Sequence, residues 1–217
     1  MVKYPKKLFL MSAIITLVVF LTGMILGWSL DRFKESEVLT NMEVNELNTN
    51  SYLLEQSFIE KSENVCEILH SRVGNIRYTL TKIGAQLPSS EESSLSSEAN
   101  LDILKRKYFL SEVQFLLLLK DLNEKCGQTY IPILFFYTKD DSSSREQGYV
   151  LTWANEKYKE KIVILSFDKD YADEPLINTL KLNYNVDGSS AVVIGDETME
   201  GFVGKEEMVA KINEMLA

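Results

Sequence analysis

The fold class follows from one apolar run, Tyr130-Ile-Pro-Ile-Leu-Phe-Phe-Tyr137, which is short and rich in aromatic and β-branched residues. Runs of this kind are typical of strands that are buried on both faces of a sheet. The polar stretch 138–145 follows, and then a helical pattern over about 146–160. The run Lys161-Ile-Val-Ile-Leu-Ser-Phe-Asp168 repeats the strand pattern. Strands that alternate with helices indicate an α/β domain with parallel strand pairing.

The rest of the chain continues this alternation. The sequence predicts a short helix over 175–181 with proline at its start, a strand over 190–194, a turn over 195–198, a short paired strand over 201–203 and a closing helix over 205–216. The predicted order is β-α-β-α-β-β-α within about 90 residues. The last two strands form an antiparallel hairpin in this interpretation.

This order and size resemble the thioredoxin fold over roughly residues 130–217. The resemblance depends on Ile133-Leu-Phe-Phe-Tyr137 before a polar loop and helix, on the strand end Ser166-Phe167-Asp168, and on Ala191-Val-Val-Ile-Gly195 followed by Gly201-Phe-Val-Gly204. The chain as a whole is similar to membrane-anchored thioredoxin-like proteins of prokaryotes, particularly archaea, which carry a coiled stalk before the domain. The resemblance implies a redox site with Cys-x-x-Cys after the first central strand and a cis-proline before the hairpin.

The sequence departs from that family at both halves of the redox site. By spacing, Asp141 and Ser144 stand where the two thiols would be, within Asp141-Ser-Ser-Ser144. Ser189 or Ser190 occupies the place of the cis-proline. A serine hydroxyl does not support thiol–disulfide exchange, which requires a thiolate. We therefore expect no catalytic residues and no cofactor in this domain.

A membrane anchor is predicted near the start of the chain. The 23 residues from Leu8 to Leu30 include no charged side chain, and a helix of that length crosses a hydrocarbon core of about 30 Å. Three lysines within 1–7 place that segment in the cytoplasm and the rest of the chain outside the cell membrane, as a single-pass protein. A cleaved signal peptide is the alternative. The spacing of Gly23 and Gly27 permits a homodimer through the membrane helix.

Residues 31–126 are predicted to form a helical stalk. Apolar residues recur every three or four positions in a first stripe of Cys66, Leu69, Val73, Ile76, Leu80, Ile83 and Leu87. This spacing fits a coiled coil or an ordinary core-facing stripe equally well. The serine-rich segment 88–97 is expected to break the helix, and a second helix over 98–124 carries a face of Leu101, Leu104, Tyr108, Phe115, Leu118, Leu119 and Leu122. Together they predict an antiparallel hairpin with 88–97 at its tip, followed by the thioredoxin-like domain over 127–217.

The register of this hairpin brings the two cysteines together. Facing residues in an antiparallel pair have a constant sum of residue numbers, which is 191 for both Leu69–Leu122 and Leu87–Leu104. The sum for Cys66–Cys126 is 192, so the sequence predicts a disulfide at the base of the hairpin. A compartment outside the membrane permits such a bond. Two separate buried thiols and a redox-active pair are the alternatives.

Composition excludes several function classes. The net charge of -9 argues against a nucleic-acid partner, which normally selects a basic patch. Two cysteines and one histidine leave little material for a zinc site. Asp140 and Asp141 lack the spacing of a calcium-binding loop, and His70 lies in the stalk rather than beside the serines that it would have to activate. We expect no metal site and no hydrolase.

Three hypotheses of function remain. The first is a redox-inactive, non-enzymatic module that binds or scaffolds a protein or peptide outside the cytoplasm. The alternative is a thiol–disulfide oxidoreductase that uses Cys66 and Cys126, or the thiols of a partner. A third hypothesis is a structural part of an envelope complex in which the stalk is the active surface.

Overall fold

The computed structural model describes residues 10–24, 51, 53–59, 61–92, 98–188 and 190–217. They fall into two compact units, Met1–Ser62 and Glu63–Ala217. In the first unit, residues 10–24, 51 and 53–59 are helical. Within the described ranges, no helix is both long enough and apolar enough to cross a membrane. The predicted span Leu8–Leu30 is described at 10–24 only, and the rest of it, with residues 1–7 and Gly27, lies outside the described residues.

The second unit contains a helical hairpin followed by an α/β sandwich. The elements are α1 (Val65–Glu92), α2 (Glu98–Cys126), β1 (Ile131–Tyr137), α3 (Ser142–Tyr158), a 3-10 turn (Lys159–Lys161), β2 (Ile162–Asp168), α4 (Pro175–Tyr184), β3 (Ala191–Ile194), β4 (Glu197–Glu200) and α5 (Lys205–Leu216). The α/β part keeps the predicted order β-α-β-α-β-β-α. Hairpin and sheet lie in one compact unit, across the division between residues 126 and 127 that the sequence suggested.

The four strands form one sheet in the order β2-β1-β3-β4. β1 pairs with β2 in parallel, with Ile133 opposite Ile164. β3 runs antiparallel to both of its neighbours, with Ile194 opposite Ile133 on β1 and opposite Glu197 on β4. This order and these directions are those of a thioredoxin-like fold, so the resemblance seen in the sequence is confirmed for the fold. β2 and β4 are the two edge strands.

Helices cover both faces of the sheet. α3 and α5 pack on the face that carries Ile133 and Phe135. On the opposite face Phe136 and Phe167 contact each other, and Phe109 of α2 lies 6.3 Å from Phe167 between ring centroids. The hairpin therefore contributes one of the layers that bury the sheet. Its packing favours the core-facing interpretation of the stalk pattern, and nothing in the described residues supports a free-standing coiled coil.

Two contacts hold α2 to the segment around α4. Glu174 caps α4 by accepting the Leu176 N–H at 3.1 Å, and its other oxygen pairs with Arg106 of α2 at 3.3 Å. The Tyr171 hydroxyl donates to the Asp102 carboxylate, also on α2. These polar contacts fix the hairpin along the side of the sheet where β2 is the edge.

The predicted disulfide is present. Cys66, near the start of α1, bonds to Cys126, the last residue of α2, with their Cα atoms 5.6 Å apart. The bond closes a loop with a sequence separation of 60 residues. In the chain-entropy description, a loop of this size stabilises the folded state by roughly 4 kcal/mol.

Several predicted boundaries were wrong. α1 continues through Pro88 to Glu92, where the sequence predicted a break. Of the predicted tip 88–97, residues 93–97 lie outside the described residues. α3 begins at Ser142 rather than near 146, because Asp141 caps it.

The C-terminal hairpin also differs from its prediction. Its second strand is Glu197–Glu200 rather than 201–203. Ile194 pairs directly with Glu197, which leaves Gly195 and Asp196 as a two-residue turn with Gly195 at φ 64°. Such tight turns require positive φ and favour glycine. Gly201, at φ 79°, then ends the strand.

Candidate functional site

The positions that correspond to the redox thiols are occupied by a helix cap. Asp141 is the N-cap of α3, and its Oδ2 accepts the N–H of Ser144 at 2.7 Å. Ser144 is buried, and its hydroxyl accepts the Thr138 N–H at 3.1 Å. Both side chains therefore satisfy backbone donors where β1 passes into α3. In this arrangement both side chains act as acceptors for the backbone, and neither is paired with an acid–base group in these hydrogen bonds.

The place of the family's cis-proline is occupied by a buried serine. Ser190 has no exposed surface, and its carbonyl accepts the Gly201 N–H at 2.8 Å. Its hydroxyl has no hydrogen-bond partner among the described atoms. No peptide bond that the structure describes is cis. Ser189 lies outside the described residues.

The two cysteines lie at the other end of the sheet from this slot. Cys126 ends α2 shortly before β1 begins, whereas Asp141 follows the end of β1. A strand of seven residues spans about 20 Å. The structure therefore does not bring the Cys66–Cys126 disulfide to Asp141 and Ser144.

Metal-ligating residues do not gather anywhere in the described chain. No group of three His, Cys, Asp or Glu side chains in those ranges could hold a metal ion. Asp140 and His70 are both exposed to solvent. These residues therefore give no support to a metal-dependent activity.

A groove of about 990 Å³ lies beside β2, and we call it the β2 groove. Residues 162–166 of β2 form its floor. One wall comes from the hairpin and the other from α3. The wall residues include Leu80, Thr81, Gly84, Tyr108 and Phe115 from the hairpin and Gly148, Leu151, Thr152 and Asn155 from α3. The volume lies at the upper end of the roughly 300–1,000 Å³ of ligand-binding clefts.

The floor of the groove is the unpaired edge of a strand. Ser166 donates its N–H at 2.8 Å to Oε1 of Glu112 on α2, so its backbone groups point away from β1. Backbone groups alternate in direction along a strand, so those of Ile164 also point away from β1 and into the groove. Within the described sheet, β2 pairs with β1 alone. The edge therefore offers a backbone donor and acceptor at Ile164.

Glu112 is a buried carboxyl with one unused oxygen. It is 2% exposed, and its Oε2 has no hydrogen-bond partner among the described atoms although the residue lines the groove. Burial raises the pKa of Glu112 to about 8, and the Ser166 N–H and the Tyr108 hydroxyl offset only part of that rise. Burial, and then the nearby Glu112, raise the pKa of Tyr108 as well. At neutral pH the carboxyl is mostly protonated and can donate a hydrogen bond.

The β2 groove continues towards the helix cap of α3. A smaller depression of about 430 Å³ lies over Asp141 and Ser144, and it shares Phe135 and Ser166 with the groove. Another, of about 390 Å³, lies between the hairpin and the end of β1 and shares Ser166 as well. The strand edge and the slot that replaces the redox site are therefore parts of one continuous surface.

Sequence reasoning missed Glu112 and the edge of β2. A signal for Glu112 was present in the apolar face of α2. The spacing between Tyr108 and Phe115 is wider than any other spacing on that face. Glu112 fills that gap at helical spacing, so it had to face the core. The edge position of β2 depends on strand order, which local sequence does not specify.

Comparisons with known proteins return solved structures of low similarity. No protein-family model and no curated protein matches the chain. Chloroplastic thioredoxin z is similar in structure at 15% identity over 45% of this chain and 87% of that one, with a TM-score of 0.36. Thioredoxin-2, a component of the malaria parasite protein secretion machinery, matches at 17% identity over 39% and 82%, with a TM-score of 0.34.

A third solved structure is the germline-specific thioredoxin Deadhead of Drosophila melanogaster. It matches at 20% identity over 45% of this chain and 91% of that one, with a TM-score of 0.29. Identities and TM-scores this low say nothing about activity or binding.

Proposed function

We propose that this protein is a redox-inactive, thioredoxin-like module that binds an extended segment of a partner protein. The observation that supports it best is the β2 groove, which combines an unpaired strand edge with a volume of about 990 Å³. Extended polypeptide is the ligand that matches such an edge, because its backbone groups pair with those of the strand.

Two observations support the absence of redox activity. The thiol positions hold Asp141 and Ser144, whose side chains are engaged by backbone N–H groups. The only cysteines are bonded to each other at the base of the hairpin. A module of this kind needs no cofactor and no catalytic group.

The proposed location follows from the sequence alone. The uncharged run Leu8–Leu30 would anchor the chain in the cell membrane as a single span, with the N-terminus in the cytoplasm and the α/β domain outside it. The Gly23 and Gly27 pair would allow two such anchors to associate. The partner would then be a protein of the same extracytoplasmic compartment.

Peptide selection and a disulfide turnover assay on the same preparation test this function. The full chain, purified in detergent, is used to select binders from a random library of peptides of about 12 residues, which exceeds the reach of the groove floor. Binding of the selected peptides is measured by fluorescence polarisation. Reduction of insulin disulfides by dithiothreitol is followed with and without the protein.

We expect micromolar binding of selected peptides and no acceleration of insulin reduction. Failure to select any peptide above background would contradict the binding role. Acceleration that disappears in a Cys66→Ser/Cys126→Ser variant would instead establish the oxidoreductase alternative.

A further inference from the structure

We propose that the outward edge of β2 binds its partner by strand addition, with Ile164 as the pairing position and Glu112 as the group that ends and fixes the register. This inference rests on the proposed function and specifies where the segment binds and what recognises it. It assigns recognition to the backbone of the segment and one buried carboxyl, away from the place of the missing thiols.

The backbone geometry of β2 supplies the first part. The inner side of the strand is already used, as the Lys169 N–H donates to the Tyr137 carbonyl at 3.0 Å beyond its last pair with β1. The outer side presents Ile164, while the next outward N–H, that of Ser166, is taken by Glu112. An added strand can therefore pair at Ile164 and must stop or turn at Ser166.

Glu112 takes the place of a neighbouring strand at Ser166. Its Oε1 accepts from Ser166 as a neighbouring strand's carbonyl would, and its Oε2 is buried without a partner. Because Glu112 already accepts the Ser166 N–H, an added strand ends at Ser166 and its register is fixed there.

The occupant is a single extended segment rather than a second copy of this chain. The edge forms the floor of a groove between the hairpin and α3, so a second β2, enclosed in the same way, cannot reach it. Unprotected strand edges invite pairing between copies, and recessing the edge prevents it. Each wall of the groove includes a glycine, Gly84 on the hairpin side and Gly148 on the α3 side.

Other charged groups share the groove with Glu112 and must be considered in any pH experiment. Tyr108 lies on the same helix, Arg77 comes from α1, and Glu156, Lys159 and Glu160 come from α3 and the turn after it. Arg77 lies over the Phe115 ring at 6.0 Å. Among these residues Glu112 is the buried carboxyl. A bound segment should therefore affect the ionisation of Glu112 more than that of the others.

Amide hydrogen exchange, read residue by residue by NMR, tests the pairing position. With a peptide from the selection above at saturation, exchange at the Ile164 amide should slow by at least about tenfold, because it gains a hydrogen bond. The Val163 and Leu165 amides point to β1 and serve as internal controls that change little. If the peptide binds while the Ile164 amide exchanges as in the free protein, strand addition is wrong and the binding function stands.

A pair of glycine substitutions tests the groove independently. Gly148 lines the groove and a Cβ there would meet no atom within 4 Å, so Gly148→Leu adds bulk at the groove without a clash at its Cβ. We expect it to weaken peptide binding by at least about thirtyfold, as a hot-spot loss does. Gly74→Leu is the matched control, since Gly74 is exposed on α1, meets no atom within 4 Å and does not line the groove.

The outcomes separate the two proposals. Equal affinity of the Gly148→Leu and Gly74→Leu variants for the peptide would place binding outside the β2 groove and overturn this inference. Circular dichroism and thermal melts of both variants verify that they are folded. Absence of peptide binding by the unsubstituted chain would instead overturn the proposed function itself.

Discussion

The slot, formed by Asp141 and Ser144 at the start of α3, adjoins the edge of β2. The two regions differ in whether their polar groups have hydrogen-bond partners. At the slot, the Asp141 carboxylate and the Ser144 hydroxyl each accept a backbone N–H, and both side chains serve the local fold. At the edge, Ile164 points its backbone into an open groove and Glu112 keeps one buried oxygen without a partner.

This difference shows where ligand capacity lies in the molecule. Polar groups that local structure satisfies add stability and have nothing left to offer a partner. Unpaired backbone groups that line an open groove are available to a ligand. By that criterion the strand edge beside the slot is the place to look for binding.

Loss of the disulfide should have the largest effect on stability. It should affect the groove more than the slot. The bond closes the base of the hairpin, which walls the groove but does not form the slot. In Cys66→Ser/Cys126→Ser we expect the free energy of unfolding to fall by roughly 4 kcal/mol, because the unfolded chain regains loop entropy. Urea unfolding followed by tryptophan fluorescence measures this change, and peptide affinity should fall with it.

A reductant provides the matched control for the disulfide. Dithiothreitol should bring the unsubstituted chain to the stability of the double serine variant and leave that variant unchanged. A loss below about 1 kcal/mol would mean that tertiary packing alone holds the hairpin, contrary to the loop-entropy expectation.

Glu112 should make the stability of the folded protein depend on pH. The carboxyl ionises near pH 4.5 in the unfolded chain and near pH 8 in the folded one. Between those values the folded protein holds the extra proton, so its stability is greatest below the lower value and falls as pH rises towards 8. Relative to Glu112→Gln, the unsubstituted chain should lose on the order of 3 kcal/mol between about pH 5 and 8.

The glutamine variant isolates this carboxyl because its amide oxygen can still accept the Ser166 N–H. With that contact kept, peptide binding should survive and should no longer depend on the ionisation of residue 112. Glu156→Gln removes an exposed carboxyl from the same groove and should keep the parent's pH profile. Parallel profiles for the parent and Glu112→Gln would show that Glu112 is ionised in the folded state.

Removing the polar groups of the slot should have the smallest effect. Asp141→Ala and Ser144→Ala should each cost about 1 kcal/mol, since one breaks an N-cap and the other leaves the Thr138 N–H unpaired. Peptide affinity should stay within about twofold of the parent because these groups serve the fold. Ser142→Ala, at an exposed helix start, is the control with no expected change.

A large fall in affinity with little loss of stability in Asp141→Ala or Ser144→Ala would break the comparison. It would move the binding surface from the strand edge to the slot. Denaturation and fluorescence polarisation on the same samples distinguish the two cases.

Local sequence predicted the elements that carry strong periodic signals. The runs that became β1 and β2 were identified by their apolar, β-branched character, and α5 begins at Lys205 as expected. The disulfide followed from helical register, because the numbering of facing positions in an antiparallel pair is fixed by geometry. That Asp141 and Ser144 stand at the positions of the two thiols stays a prediction from residue types.

The remaining features depend on which elements become neighbours. Asp141 is a cap only because α3 starts directly after it, and the sequence suggested a start four residues later. Glu112 gains its role from the Ser166 N–H, which lies 54 positions away in the chain. Such contacts require the strand order and the placement of the hairpin, and no local pattern contains either.

The two glycines that line the groove, Gly84 and Gly148, affect both the space within it and the stability of the helices that carry them. A glycine inside a helix is less favourable than alanine by roughly 1 kcal/mol, and α1 and α3 each carry one at this wall. A methyl group would fit at both positions, since it would lie 3.6 Å from the Tyr108 ring at Gly84 and would meet no atom within 4 Å at Gly148. Alanine at both should therefore raise the melting temperature while narrowing the passage, so heat resistance and the size of side chain admitted are coupled through two single residues.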